Sequence, residues 1–354
     1  MAENLTLLIL AVAPFLLLRI AADLVPFRRG KIRPASFRNL LLGNFVVFMF
    51  LSSIVLFSGE IYYRFFVDTT DSFSLSKVSA RWFSRHFVRN MAGFRDSVHY
   101  LPETTPGQRR VSFLGDSFTA GQGITDVDQR FANLLRKMRP GDEVHVLADC
   151  GWDTQKELEL VRFLPQSGYQ TDVVVLVYCL NDVSDLMDTW QDELARVYQA
   201  RPGLIVSSSY LLDTLRSRWV MWQHPKLQKY YQSVTGIYTA ESEEWRRQQR
   251  RLDGIREAVE DSGGRLLVVT FPFVHCLGNY EFQNAHDLVG EYWKDSGVDH
   301  LDLLPVFQSE WEKNPTAEWT VNSRDAHPGI YAHQVAAREI DAFLTKHFRE
   351  TESD

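Results

Sequence analysis

The chain of 354 residues is 45% hydrophobic and 23% charged, a globular composition that excludes a disordered protein and leaves room for one large domain with appendages. A formal net charge of -7 excludes a general nucleic-acid binder, because phosphate contacts need a basic face. Three cysteines, Cys150, Cys179 and Cys276, are too few and too scattered for a disulfide framework, and no pair has zinc-ligand spacing.

Two apolar segments come first. Residues 5–27 are apolar apart from Thr6, Arg19 and Asp23, and residues 40–59 run without a charge, about the length that a bilayer core demands. We read both as transmembrane helices. The first is marginal alone, and its span is left open. A cleaved signal peptide fits poorly, since Glu3 and no basic residue precede the first apolar core. Between the segments, in the loop 28–39, lie Arg28, Arg29, Lys31, Arg33 and Arg38 without an acidic residue. The positive-inside rule puts this loop in the cytoplasm and everything after residue 60 outside. The anchor is thus 1–60, followed by an aromatic-rich linker and lead-in, 61–108.

From residue 109 to about 350, strand and helix patterns alternate, which argues for a parallel sheet with helices on both faces. Residues 111–114, 144–148, 172–180, 265–273 and 298–303 read as strands, and helices are expected over 131–138, 154–164, 241–261 and 330–347. Gly115 is expected to end the first strand by adopting angles that other residues avoid. Gly121 and Gly123 are expected to form a loop that leads into a helix facing the strand end. Residues 183–240 break the alternation and hold Trp190, Tyr198, Tyr210, Trp219, Trp222, Tyr230, Tyr231 and Tyr238. They form an insertion, either a lid or a helical addition packing on the sheet domain.

Ligands of open parallel sheets bind beyond the carboxyl ends of the strands, so residues just after each strand are the candidates. They are Gly115-Asp116-Ser117, Gly151, Asn181-Asp182, and near the end of the chain Asp325-Ala326-His327-Pro328. A serine hydroxyl is a weak nucleophile until a base takes its proton. His327 is the base and Asp325 the residue that orients it, with Ser117 as nucleophile. The amides of Ser117 and Gly151 and the side chain of Asn181 are the oxyanion donors. Cys150 and Cys179 are read as small buried hydrophobes; with strands ordered 2-1-3-4-5, the first strand lies between theirs.

In these blocks the chain resembles the SGNH, or GDSL-type, serine hydrolases. Gly115-Asp116-Ser117-Phe118-Thr119, Gly151, Asn181-Asp182 and residues 325–328 are similar to the four family blocks and occur in family order, and residues 90–96 resemble the lead-in of bacterial members. Two positions depart. Cys179 stands where the asparagine block has glycine, and Arg324 stands three before His327, where the aspartate usually lies. Some branches, including surface-polysaccharide acetyltransferases, use the shorter spacing. The resemblance implies a three-layer α/β/α, flavodoxin-like fold, an acyl-enzyme mechanism with no metal or other cofactor, and ester substrates.

Three functions follow as expectations: a membrane-anchored extracytoplasmic esterase acting on an acylated glycan, lipid or small ester; an O-acyltransferase of surface polysaccharide using the same serine; or a catalytically silent envelope scaffold. The sequence sets no oligomeric state.

Overall fold

The computed structural model describes residues 2–24, 37–187, 190–200 and 202–352. Arg28, Arg29, Lys31 and Arg33 of the basic loop lie outside them. The chain divides into two compact units, one built from 1–68, 75–81 and 197–224, the other from 69–74, 82–196 and 225–354.

In the first unit, helices α1 (Ala2–Leu24) and α2 (Phe37–Ile61) pack against each other, and both are long and apolar enough to cross a membrane, each with a mean hydropathy of 2.4 over its best stretch. A π-helical turn, Tyr62–Phe66, extends α2. There Glu60 and Arg64, one helical turn apart, form a buried ion pair at 2.9 Å. Glu60 also receives Ser209 Oγ at 2.7 Å and the amide of Leu211 at 3.0 Å, so it caps the helix Tyr210–Gln223. Arg64 donates to the carbonyl of Glu3 at 3.0 Å, and Thr6 meets Ser208 at 2.7 Å. The start of α1 is therefore held at the end of α2.

The second unit is a five-stranded parallel sheet in the order β2-β1-β3-β4-β5, with β1 Arg109–Gly115, β2 Asp142–Ala148, β3 Val173–Cys179, β4 Arg265–Phe271 and β5 His300–Asp302. All ladders are parallel. Strand β3, V-V-V-L-V-Y-C, is buried along its whole length, as a central strand covered on both faces must be. A hairpin of β6 (Thr320–Asn322) and β7 (Asp325–Pro328) precedes the closing helix Ile330–Glu352.

One local expectation is corrected and another is extended. The φ of Gly115 is not left-handed; glycine is needed there for space, because a Cβ would lie 2.3 Å from Thr119 Oγ1 and 3.0 Å from the carbonyl of Val177. The expected helix is present at Phe131–Met138, and a short additional one, Ser117–Ala120, comes before the 121–123 loop. Asp116 caps it by accepting from the amide of Phe118 at 2.8 Å, and Gly121, left-handed at φ 71°, ends it after Ala120.

The lead-in is built into the sheet unit. Arg95 donates to the carbonyls of His86, Ala120, Gly121 and Ile124, which clamps the loop behind Ser117. Asp96 is buried and takes Arg130 at 3.2 Å, Arg136 at 2.7 Å and Tyr100 at 2.5 Å. Burial alone would raise its pKa, but Arg136 and Arg130 win and hold the carboxyl down at about 2. Asp96→Ala strands a fully buried Arg130 without its counter-charge. It is expected to cost about 3–5 kcal/mol in chemical denaturation, and a loss below about 1 kcal/mol would refute this role.

Candidate active site

Register places the candidate site. Gly115 pairs with Ala148 on one side and Val177 on the other, so β1 and β2 end level, β3 runs two residues further to Cys179, and β1 delivers Ser117 between the turns that follow β2 and β3. Gly151 sits in the first turn, exposed and left-handed at φ 77°, and is placed by register alone. Asn181 sits in the second.

Ser117, His327 and Asp325 form one hydrogen-bonded line. His327 Nε2 lies 2.8 Å from Ser117 Oγ, and His327 Nδ1 lies 2.5 Å from Asp325 Oδ1. With Nδ1–H donating to the carboxylate, Nε2 is left to accept the serine proton. All three side chains are buried. Phe118 stands edge-on to the imidazole at 5.4 Å.

The electrostatics suit a base. Burial lowers the pKa of His327, but the charge and hydrogen bond of Asp325 outweigh it, with a smaller contribution from Asp116, and the net shift is upward from 6.5. Asp325 is held below the usual carboxylate range: burial works against this, and His327 with Thr70 overcome it. The spacing of two has a plain geometric basis. Asp325 and His327 are alternate residues of β7, both buried, while Arg324 falls in the turn between β6 and β7.

Two residues with direct contacts here received no role from the sequence. Asp116, fully buried, accepts from Asn181 Nδ2 at 3.0 Å and lies 3.4 Å from Ser117 Oγ. One amide hydrogen of Asn181 is thereby fixed and the other left free to point elsewhere. The position of Asp116 just before a helical turn was the available signal. Thr70 donates to Asp325 Oδ2 from 255 residues away in sequence, and nothing local announces it. Cys179 is buried at the end of β3, its amide bound to Asp182 at 2.8 Å and its thiol pKa pushed well up by burial. All three cysteines are free, and Cys150 is half-buried.

The later part of the insertion packs near this site. Tyr231 lies against Phe273 at 4.7 Å and His275 at 4.3 Å between ring centres, while Tyr230 meets Trp190, from the start of the insertion, at 4.7 Å with the rings tilted. Burial lowers the pKa of His275 to about 4, so it is a neutral neighbour at pH 7.

A serine–histidine–aspartate line at the carboxyl edge of a parallel sheet defines the chain as an α/β protein of the serine-hydrolase class. The family model of GDSL-like lipases and acylhydrolases matches residues 113–335, and the chain belongs to that family, whose members act on ester bonds. Similar solved structures include phospholipase A1 from Streptomyces albidoflavus, at 13% identity over 68% of this chain and 99% of that one with a TM-score of 0.41. An extracellular lipase from Streptomyces rimosus is 12% identical over 67% and 99%, with a TM-score of 0.39. A lipolytic protein from Veillonella parvula is 10% identical over 65% and 94%, also at 0.39. No curated protein sequence matches the chain.

Behind the candidate site lies a carboxyl with no hydrogen bond. Glu157 is fully buried on the helix Thr154–Phe163, and neither of its oxygens has a hydrogen-bond partner among the described residues. Burial first, then the charges of Asp116 and Asp153, push its pKa well up, and Asp182 is pushed up by burial and by Glu157. A carboxyl whose folded pKa is raised contributes fully below its unfolded pKa, and the contribution is lost as pH rises through the folded value. Glu157→Gln removes that loss. The variant should therefore gain stability relative to the parent as pH rises above the ordinary carboxylate range, by up to about 1.4 kcal/mol per pH unit in thermal unfolding. A gap that does not widen with pH would count against a protonated Glu157.

Proposed function

We propose that the chain is a membrane-anchored, extracytoplasmic serine esterase that removes O-acyl groups from a glycan or lipid. The observation that carries the chemistry is the Ser117–His327–Asp325 line. Ser117 Oγ attacks the ester carbonyl carbon as its proton passes to His327 Nε2. The carbonyl oxygen becomes an oxyanion facing the amides of Ser117 and Gly151 and the free amide hydrogen of Asn181. Collapse breaks the bond to the alcohol, which leaves with the proton from His327, and an acyl-serine remains. Water, deprotonated by the same imidazole, then releases the acid. Asp325 stabilises the imidazolium in both halves.

The anchor and its sidedness rest on sequence: two long apolar helices and a basic loop between them. An anchored site works close to envelope material, which supports an acylated glycan or lipid as substrate. A reporter active only in the cytoplasm, fused after Asp354, should be silent.

A fluorophosphonate probe is expected to label the full chain and to lose all labelling in Ser117→Ala. Folded parent protein that takes no label would overturn the esterase reading in favour of a silent scaffold. Supplying an acyl ester with and without oligosaccharide separates water from sugar as the acceptor, and acylated sugar would make the protein a transferase. Because His327 must be neutral to act and its pKa is raised, kcat/KM should fall as pH drops through a value above 6.5. Asp325→Asn should shift that limb to lower pH and cut kcat by about 10⁴. Asn181→Ala should cost about 10²–10³ in kcat.

A further inference from the structure

The helix Tyr210–Gln223 is inside out. Its buried side chains are Asp213, Thr214 and Ser217, whereas Leu215, Trp219 and Trp222 are exposed, the two tryptophans at 55% and 67%. Positions 215, 219 and 222 fall on one face, so the apolar stripe points away from the protein. The turn before it does the same, with Leu204 at 81% and Ile205 at 75% exposure. A surface helix in water has the opposite arrangement.

The buried polar face is satisfied. Asp213 accepts from the amide of Lys77 at 2.6 Å, Thr214 donates to the carbonyl of Tyr210 at 2.7 Å, and Ser217 donates to that of Thr214 at 2.8 Å. Its burial is therefore a settled packing, and the face left exposed is the apolar one.

What covers that face follows from where the helix is attached. Its first turn is bound to Glu60, Leu211 lies against Gly59, and Arg218 donates to the hydroxyl of Tyr63. It starts at the end of α2, next to the turn that holds the exposed Tyr62, Phe65 and Phe66, and like α1 and α2 it leaves apolar side chains exposed. Tryptophan and tyrosine at the end of a span are the residues that settle at the headgroup boundary.

We propose that the segment 204–223 lies in the membrane interface and forms a third lipid contact beside the two spans. Leu204, Ile205 and Leu215 enter the outer edge of the acyl chains, with Trp219 and Trp222 at headgroup level. The proposal rests on reading α1 and α2 as spans.

The test places the full chain in vesicles of phosphatidylglycerol and phosphatidylethanolamine, with or without bromine on the acyl chain near the headgroup. Brominated lipid should quench part of the parent's tryptophan fluorescence, and in Trp219→Phe/Trp222→Phe the quenched part should fall to about half or less. Both changes are conservative and on the surface. Flotation in a density gradient runs in parallel. If the chain floats and the two proteins are quenched equally, the third contact is overturned and the anchor stands. If the chain does not float, the anchor reading falls and the proposal with it. Equal quenching with twice the monomer mass in nanodiscs would assign the face to a second copy, which also overturns the lipid contact.

Discussion

A parallel sheet covered on both faces has no room for polar chemistry except at its ends, and that constraint organises the second unit. Strand β3 is apolar along almost its whole length and β1 from Val111 to Leu114 apart from Ser112, and both change character within a few residues of Gly115 and Cys179. The parallel register of β2, β1 and β3 then brings three separate loops to one edge. The same constraint crowds carboxyl groups there. Asp116, Asp182 and Asp325 are each fully buried, and each is steadied by a backbone amide, from Phe118, Cys179 and His327 respectively. A backbone amide that donates to a buried carboxyl offsets part of its desolvation cost, which is how an apolar sheet can hold acidic groups at its rim.

Much of this is legible because burial on both faces writes an uninterrupted apolar run into the sequence. The runs at 144–148 and 172–180 mark their strands to within a residue or two, and the order β2-β1-β3-β4-β5 is the expected one. Ser117 stands out because strand ends are where candidates gather, whereas Asp325 and His327 stand out through the block they form just before the closing helix. Contacts between distant segments leave no such trace. Thr70 beside Asp325, and Asp96 between Arg130 and Arg136, belong to a stretch that reads only as linker and lead-in. Gly115 misleads because sequence reveals that a side chain is missing without revealing whether backbone angle or space excludes it.

The insertion shows a different limit. Aromatic content marks residues 183–240 as one block, yet the chain divides it between the two compact units at residues 196–197 and 224–225. Aromatic residues favour a core, a binding surface and a membrane boundary alike, so composition does not separate Tyr231, packed on Phe273, from Trp222, which faces outward. What distinguishes them is the burial of the polar residues around them. Serine and threonine can bond the carbonyl one turn back, so a helix can turn a polar face inward without any signal in its hydropathy.

The short spacing of Asp325 and His327 ties the histidine block to one kind of backbone. On a strand, side chains two apart share a face, whereas side chains three apart point to opposite faces. An aspartate three residues before the histidine can reach it only if the intervening chain turns. The two spacings are therefore different local folds and cannot be exchanged by sliding one acid along the chain. A lineage could pass between them only by remaking the β6–β7 hairpin and finding a new neighbour for the displaced carboxylate in the place of Thr70. The interval between two residues thus records a whole hairpin's history.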